Sequence, residues 1–290
     1  MNSATTSVQS WFHEDTSTFT HLITDLETGL LAVVDPVLDF DQKSGKTSTH
    51  FMENLIKEAD IPTENIKWIL ETHAHADHLS GAAFLKSISN AKTVVGQEIT
   101  RVQKTFSQVF NEGDDFPCDG QQFDLLVKDG DELELGSSKI LVLSTPGHTP
   151  ACVSFLLNSQ DLFVGDTLFM PDVGTARCDF PGGDAETLFQ SIHRLMDLGD
   201  DVVMHLCHDY PPSDRPVSSK TTVAAQKAEN IHVKSGISMQ EFVTMRSTRD
   251  SGLDMPRLIL PSLQVNIRAG DLPKAESNGV AYLKLPLNQF

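Results

Sequence analysis

Residues 72–78 read Thr-His-Ala-His-Ala-Asp-His, so His73, His75, Asp77 and His78 place four metal-ligating side chains within six positions. Imidazole and carboxylate are ligands for zinc or iron. The cluster follows the apolar run Ile66-Lys67-Trp68-Ile69-Leu70, which reads as a buried strand. A strand ending in such a cluster predicts a metal cradle. Three further segments place ligand types just after apolar runs. They are His148 in Ser144-Thr145-Pro146-Gly147-His148-Thr149, Asp166 in Val164-Gly165-Asp166, and His208 in Cys207-His208-Asp209-Tyr210. Gly147 and Gly165 let the backbone turn sharply beside two of them. The other histidines lack such context and are expected at the surface or in the core.

These residues need a scaffold that brings strand ends together. His21–Thr24 and Leu30–Val34 read as strands with a turn over residues 25–29. Phe51, Leu55, Ile56 and Ala59 recur at helical spacing, with Ser48 or Thr49 as a cap. A helix is expected through Ala82–Leu85, a strand over Thr93–Val95, and a helix carrying Ile99, Val102, Phe106 and Phe110. The pattern then changes to strands at Glu132–Leu135, Ile140–Leu143, Val153–Leu157 and Leu162–Val164. Asp184 caps a predicted helix with Leu188, Ile192, Leu195 and Met196, and Val202–Met204 is a strand leading to His208. Ser238 and Glu241 form a capping-box pattern. The proline-bearing stretch from Met255 onward gives no clear pattern. Mixed strands and helices suggest two packed sheets with helices outside. The simplest organisation is a catalytic domain over residues 1–230 with a C-terminal extension, residues 231–290, packed on it.

Composition narrows the function classes. The chain has 290 residues, 39% of them hydrophobic, and a net charge of −18. An acidic chain without a basic run repels phosphate, so nucleic acid and anionic membrane are not expected partners. Cys118, Cys152, Cys178 and Cys207 form no Cys-x-x-Cys pair, so reduced thiols are expected. The N-terminus lacks signal- and transit-peptide features, and no apolar stretch reaches membrane-spanning length. A cytoplasmic location follows as an expectation. The oligomeric state is open, with a homodimer as one expectation.

The four ligand segments, in this order, resemble the metallo-β-lactamase superfamily from about residue 15 to 210. That resemblance implies an α+β fold, the αββα sandwich, with metal at one end of the paired sheets. Further stretches look like persulfide dioxygenases: Asp15–Leu22, Val34-Asp35-Pro36-Val37, Gly147–Val153, Ala176-Arg177-Cys178-Asp179-Phe180 with Gly182–Ala185, and His208-Asp209-Tyr210. The resemblance implies one Fe(II) per chain, held by His73, His148 and Asp166 as a two-histidine, one-carboxylate face. His75, Asp77, His78 and His208 become surrounding partners that orient the ligands. The implied reaction oxidises glutathione persulfide with O2 and water to glutathione and sulfite. Arg177 is expected to pair with a substrate carboxylate, and Tyr210 to offer its hydroxyl near the metal. Where many members carry Asn-Pro-Arg, this chain has Asn230-Ile231-His232, so the contact to the carrier is weakened or supplied by His232 or Lys234.

Two other readings stand beside this one. A glyoxalase II-like thioester hydrolase would use two zinc ions, and every ligand type it needs is present. A non-catalytic persulfide-binding protein is the remoter alternative.

Overall fold

The computed structural model describes residues 5–113, 115–212 and 214–289; the N-terminal residues 1–4 lie outside the described residues. In chain order the first half comprises β1 (Thr6–His13), β2 (Thr18–Asp25), β3 (Leu31–Val34), β4 (Val37–Asp41), β5 (Lys46–Ser48), α1 (His50–Glu58), β6 (Ile66–Leu70), β7 (Leu79–Ser80), α2 (Ala82–Ile88), β8 (Lys92–Gly96), α3 (Ile99–Val109) and β9 (Leu125–Val127). The second half comprises β10 (Glu132–Leu135), β11 (Ser138–Ser144), β12 (Val153–Leu157), β13 (Asp161–Phe163), α4 (Ala185–Met196), β14 (Val203–His205), β15 (Lys220–Thr222), α5 (Val223–Glu229), α6 (Met239–Asp250) and α7 (Ile259–Asn266).

One six-stranded sheet runs β1-β2-β3-β6-β8-β9 and the other β10-β11-β12-β13-β14-β15. Strand alternation decides the layering. Ala32 and Val34 point between the sheets, where they meet Val142 and Phe155, whereas Leu31 and Val33 face outward onto Met52 and Leu55 of α1. In β11, Ile140 and Val142 point inward, while Leu141 and Leu143 face the layer holding α4 and α6. The result is helix, sheet, sheet, helix. Burial of each such side chain contributes about 1.5–3 kcal/mol, against at most about 1 kcal/mol for an exposed ion pair. The sandwich therefore rests on its apolar layers.

Strand direction gathers the ligand segments. β3 and β6 are parallel, as are β13 and β14, and β11 points the same way as β13 because both are antiparallel to β12. All five C-terminal ends reach one edge. Two cross-sheet bonds close it: the Val153 amide donates to the Thr72 carbonyl at 2.9 Å, and the Phe19 amide to the Cys207 carbonyl at 2.7 Å.

The C-terminal stretch without a readable pattern contains a helix. In α7, Ile259 and Leu263 pack with Val102 and Phe106 of α3 and with Ala74 and Ala76 of the histidine loop. Pro261 sits in the first turn, where no backbone donor is needed. The expected caps hold at α4, where Asp184 accepts from the Thr187 amide, and at α6, where Ser238 and Glu241 form the capping box. At α1, by contrast, Thr49 makes no capping bond to the backbone. All four cysteines are free thiols. No helix among the described residues is long and apolar enough to cross a membrane.

His21 is a buried structural histidine. Its Nε2 lies 3.0 Å from the Leu206 carbonyl, which can only accept, so Nε2 carries the proton; Nδ1 accepts from the Ser10 hydroxyl at 2.8 Å. Burial, reinforced by His205, pushes its pKa down to about 3. The unfolded chain therefore binds a proton below about pH 6.5 that the folded chain refuses, and stability falls as pH drops from there toward 3. The limiting slope is about 1.4 kcal/mol per pH unit. His21→Gln should flatten the pH dependence of urea-unfolding free energy between pH 6 and 4 relative to the parent. Parallel curves for the two proteins would contradict this assignment.

Candidate metal centre

The strand edge brings His73, His148 and Asp166 together, with their ligand atoms all within 4.8 Å of one another. Asp166 Oδ2 lies 3.9 Å from His73 Nε2 and 3.6 Å from His148 Nε2. Each histidine is oriented from behind. His148 Nδ1 donates to the Arg177 carbonyl at 2.7 Å, which leaves Nε2 as a lone pair facing the site. Thr72 donates its hydroxyl to Asp35 and so accepts from His73 Nδ1 at 3.0 Å, which again frees Nε2. Burial, then the neighbouring imidazoles His75 and His148, hold the His73 pKa well below its ordinary value. A neutral imidazole is the form a metal requires.

Glycine makes the approach possible. Gly165 adopts φ +53°, and a Cβ there would lie 2.7 Å from the Thr72 hydroxyl. Gly147, at φ +139°, would place a Cβ 2.3 Å from the Leu188 backbone. Both glycines precede a ligand, and neither position tolerates a side chain.

A second group forms beside the first from His75, Asp77, His78 and His208. His208 Nδ1 donates to the Ser17 carbonyl at 3.1 Å, so its Nε2 faces Asp77 at 3.0 Å and Asp166 Oδ1 at 3.4 Å. His208 Nε2, His78 Nε2, His73 Nε2 and Asp166 Oδ1 are buried without an aligned hydrogen bond. Buried polar atoms are normally satisfied. Lone pairs converging on one another across a short gap fit a cation between them, so the donor set matches a metal centre. Asp166 connects the two groups, with one oxygen toward each.

Asp35 fastens the loop that carries the first ligands. Its carboxylate accepts from the Thr72 amide at 2.8 Å, the Thr72 hydroxyl at 2.9 Å and His75 Nε2 at 3.1 Å. Burial acts to raise its pKa, but His75 and these bonds outweigh burial and hold it below the usual carboxylate range. Burial works against the charged form of His75 too, yet Asp35 and Glu71 together raise its pKa well above the ordinary value. Glu71 itself is raised, chiefly by burial.

Beside the first group opens a cavity of about 520 Å³ whose walls include Asp77, His148, Asp166, Phe169, Phe180 and Tyr210. Tyr210 stacks on His208 with ring centroids 5.7 Å apart and is 47% exposed. Arg177 reaches the wall, but Nε and Nη2 grip Asp179 at 2.6 Å each and Nη1 donates to the Asp254 carbonyl. The fork expected for a substrate carboxylate is thus occupied within the protein. The contribution of Arg177 to the metal group is its carbonyl, which orients His148. His232 does not reach the cavity wall. It is buried behind Thr175, whose amide donates to His232 Nδ1 at 3.0 Å, so it supports the wall rather than touching a ligand. Cys178 is buried nearby, and its amide donates to Asp250.

Residues 14–208 match the family model described as the metallo-beta-lactamase superfamily. The chain belongs to this superfamily. Glyoxylase B2 of Dictyostelium discoideum is 51% identical over 92% of each chain. A probable metallo-hydrolase of Burkholderia pseudomallei is 47% identical, over 97% of this chain and 99% of that protein. The mitochondrial persulfide dioxygenase ETHE1 of Homo sapiens is 28% identical, over 91% and 88%. The crystal structure of ETHE1 from Myxococcus xanthus superposes with a TM-score of 0.70 at 28% identity, covering 91% of this chain and all of that one. The αββα sandwich and a metal-dependent enzyme of this superfamily are thereby established for the chain. The two relatives near 50% identity carry names that weigh toward a hydrolase, whereas the named dioxygenase is more distant.

Sequence reading missed the residues that hold the ligands from behind. Asn266, at the end of α7, donates to the His75 and His78 carbonyls at 2.8 Å each and accepts from the Ser80 amide at 2.8 Å. No local pattern marks it, since its partners lie 186 to 191 positions away. Asn266→Ala leaves three buried backbone groups unpaired and should cost about 3 kcal/mol. Urea unfolding measures that loss, and metal analysis after dialysis should show faster release. Unchanged stability and retention would remove Asn266 from the support of the loop.

Proposed function

We propose that this chain is an iron-dependent persulfide dioxygenase, converting glutathione persulfide, O2 and water to glutathione and sulfite. One observation carries the reading. His73, His148 and Asp166 form a three-ligand group by themselves, while His75, its Nε2 engaged by Asp35 and its Nδ1 buried without a partner, falls in the neighbouring group. Two histidines and one carboxylate leave coordination positions open for two reactants, as non-haem iron oxygenases require. A ferrous ion held there would supply redox chemistry with dioxygen and a binding position for sulfur. The protein's own part is positional. Arg177 O and Thr72 fix the two imidazoles with Nε2 forward, and Phe169 and Phe180 give the cavity apolar walls that limit water. Tyr210 is assigned as the hydroxyl donor to the bound persulfide. The similarity to ETHE1 supports the dioxygenase reading.

A second reading is favoured by a different observation. The unpartnered nitrogens of His78 and His208, with Asp77 and the second oxygen of Asp166, could hold another cation. With zinc at both groups, a bridging water would be acidified into a hydroxide nucleophile for thioester hydrolysis. The names of the relatives at 51% and 47% identity agree with that chemistry.

Anaerobic purification, metal analysis and an oxygen electrode separate the two. The dioxygenase reading expects about one iron per chain, with one O2 consumed and one sulfite formed per glutathione persulfide. Asp166→Ala should abolish iron binding and activity, whereas His208→Ala should retain most of the iron. Two zinc ions per chain, with thioester cleavage and no oxygen uptake, would replace this proposal by the hydrolase.

A further inference from the structure

Four arginines line the cavity beside the metal groups: Arg177, Arg246, Arg249 and Arg257. That is unexpected in a chain of net charge −18. Two of them are neutralised inside the wall. Arg177 grips Asp179, and Arg246 is buried against Asp250, donating through Nε at 2.9 Å and also to the Thr175 carbonyl at 3.1 Å. The other two behave differently. Arg249, near the end of α6, is exposed and forms no ion pair or side-chain hydrogen bond among the described residues. Arg257, in the segment after α6, is exposed, and among the described residues its side chain donates only to the Asp15 carbonyl, at 3.1 Å. Between them in sequence lie Leu253 and Pro256, which also line the cavity.

We infer that Arg249 and Arg257 form a carboxylate clamp at the cavity mouth, which selects a thiol carrier bearing carboxylates remote from its sulfur. The inference rests on the cavity being the substrate site, as proposed above, but not on which of the two reactions occurs there. The arrangement grades from metal ligands through apolar wall to unpaired guanidinium. A ligand matching it has a sulfur at the metal end, an uncharged stem along Phe169, Leu253 and Pro256, and carboxylates at the far end. Guanidinium offers paired donors that fit a carboxylate in a fixed geometry, which an ammonium does not. Asp15 at the same rim adds a negative charge, which would suit an amino group beside one of those carboxylates. A tripeptide thiol with two terminal carboxylates and one ammonium has this chemistry; a small neutral thiol does not.

The test uses S-methylglutathione, which neither reaction consumes, and its diamide, in which both carboxylates are amidated. Binding to the metal-loaded protein is measured by calorimetry at low and moderate salt. The double variant Arg249→Gln, Arg257→Gln should raise the Kd for S-methylglutathione about tenfold or more, an effect that shrinks as salt screens the exposed charges. Its Kd for the diamide should be unchanged. Restoring charge with Arg249→Lys, Arg257→Lys should recover part of the loss. In steady-state assays of whichever reaction the enzyme catalyses, the Gln variant should raise KM for the glutathione substrate and leave kcat within about twofold. Metal content equal to the parent's shows that the centre is intact. Equal Kd values for parent and double variant, or equal weakening of the diamide, would overturn the clamp. If S-methylglutathione binds and weakens as expected while no persulfide oxidation is detected, the clamp stands and the dioxygenase assignment fails.

Discussion

The buried carboxylate of Asp35 is the interaction on which the site depends. It ends β3 with φ +49°, a conformation that Asp tolerates better than most residues. There its amide donates to the Leu70 carbonyl at the end of β6, and its own carbonyl accepts from Thr20 of β2. Three neighbouring strands thus converge on one residue. Its carboxylate then takes the amide and hydroxyl of Thr72 and the ring of His75. Burying such a charge costs several kcal/mol, and bonds to a charged acceptor return about 1.5–3 kcal/mol each. Three of them offset the penalty only while the loop keeps its shape. The same three bonds that make the carboxylate tolerable therefore set the tautomer of His73 and the direction of His75.

Asp166 is the other fixed point, and its geometry explains why one ligand set accommodates two chemistries. One oxygen faces His73 and His148; the other faces His208 across from Asp77. A single ion on the first side leaves the second side as a polar support. Ions on both sides share the carboxylate. The protein's contribution to that choice lies in the positions of His75, His78 and His208, because the ligand types are the same in either case. Side-chain type names the superfamily, whereas side-chain direction bears on the reaction.

This is why some parts of the molecule were readable from sequence and others were not. Ile66–Leu70 and Val153–Leu157 read as strands with the boundaries the structure shows because apolar runs announce themselves, and Glu132–Leu135 because exposed glutamates alternate with buried leucines. The ligand segments were readable because each is a short motif behind such a strand. β1 was missed: it is an edge strand of mixed composition, Thr-Ser-Val-Gln-Ser-Trp-Phe-His, and its burial is only partial. α7 was missed because Pro261 and a short length disguise a helix whose stability comes from packing on α3. The assigned roles of Arg177 and His232 depended on where their side chains point. Asp179, two residues from Arg177, was visible, but nothing local revealed that the pair would close on itself.

The same distinction divides the site by origin. The sandwich supplies the metal ligands from four strand ends, those of β6, β11, β13 and β14, so the centre is defined by topology. The segment after β15 supplies what surrounds that centre. Asn266 props the carbonyls of the histidine loop, His232 and Arg246 hold Thr175, and α6 with its following turn forms the cavity's outer wall. The 15–17 loop and this C-terminal wall both line the cavity beside the metal groups. Chemistry is thus set by residues whose partners are near neighbours at a sheet edge. On the proposed clamp, selection is set by residues more than two hundred positions from the Asp15 they line the cavity with. Within the C-terminal segment the two roles are themselves separate, since Asn266 reaches the histidine loop whereas Arg249 and Arg257 line the cavity.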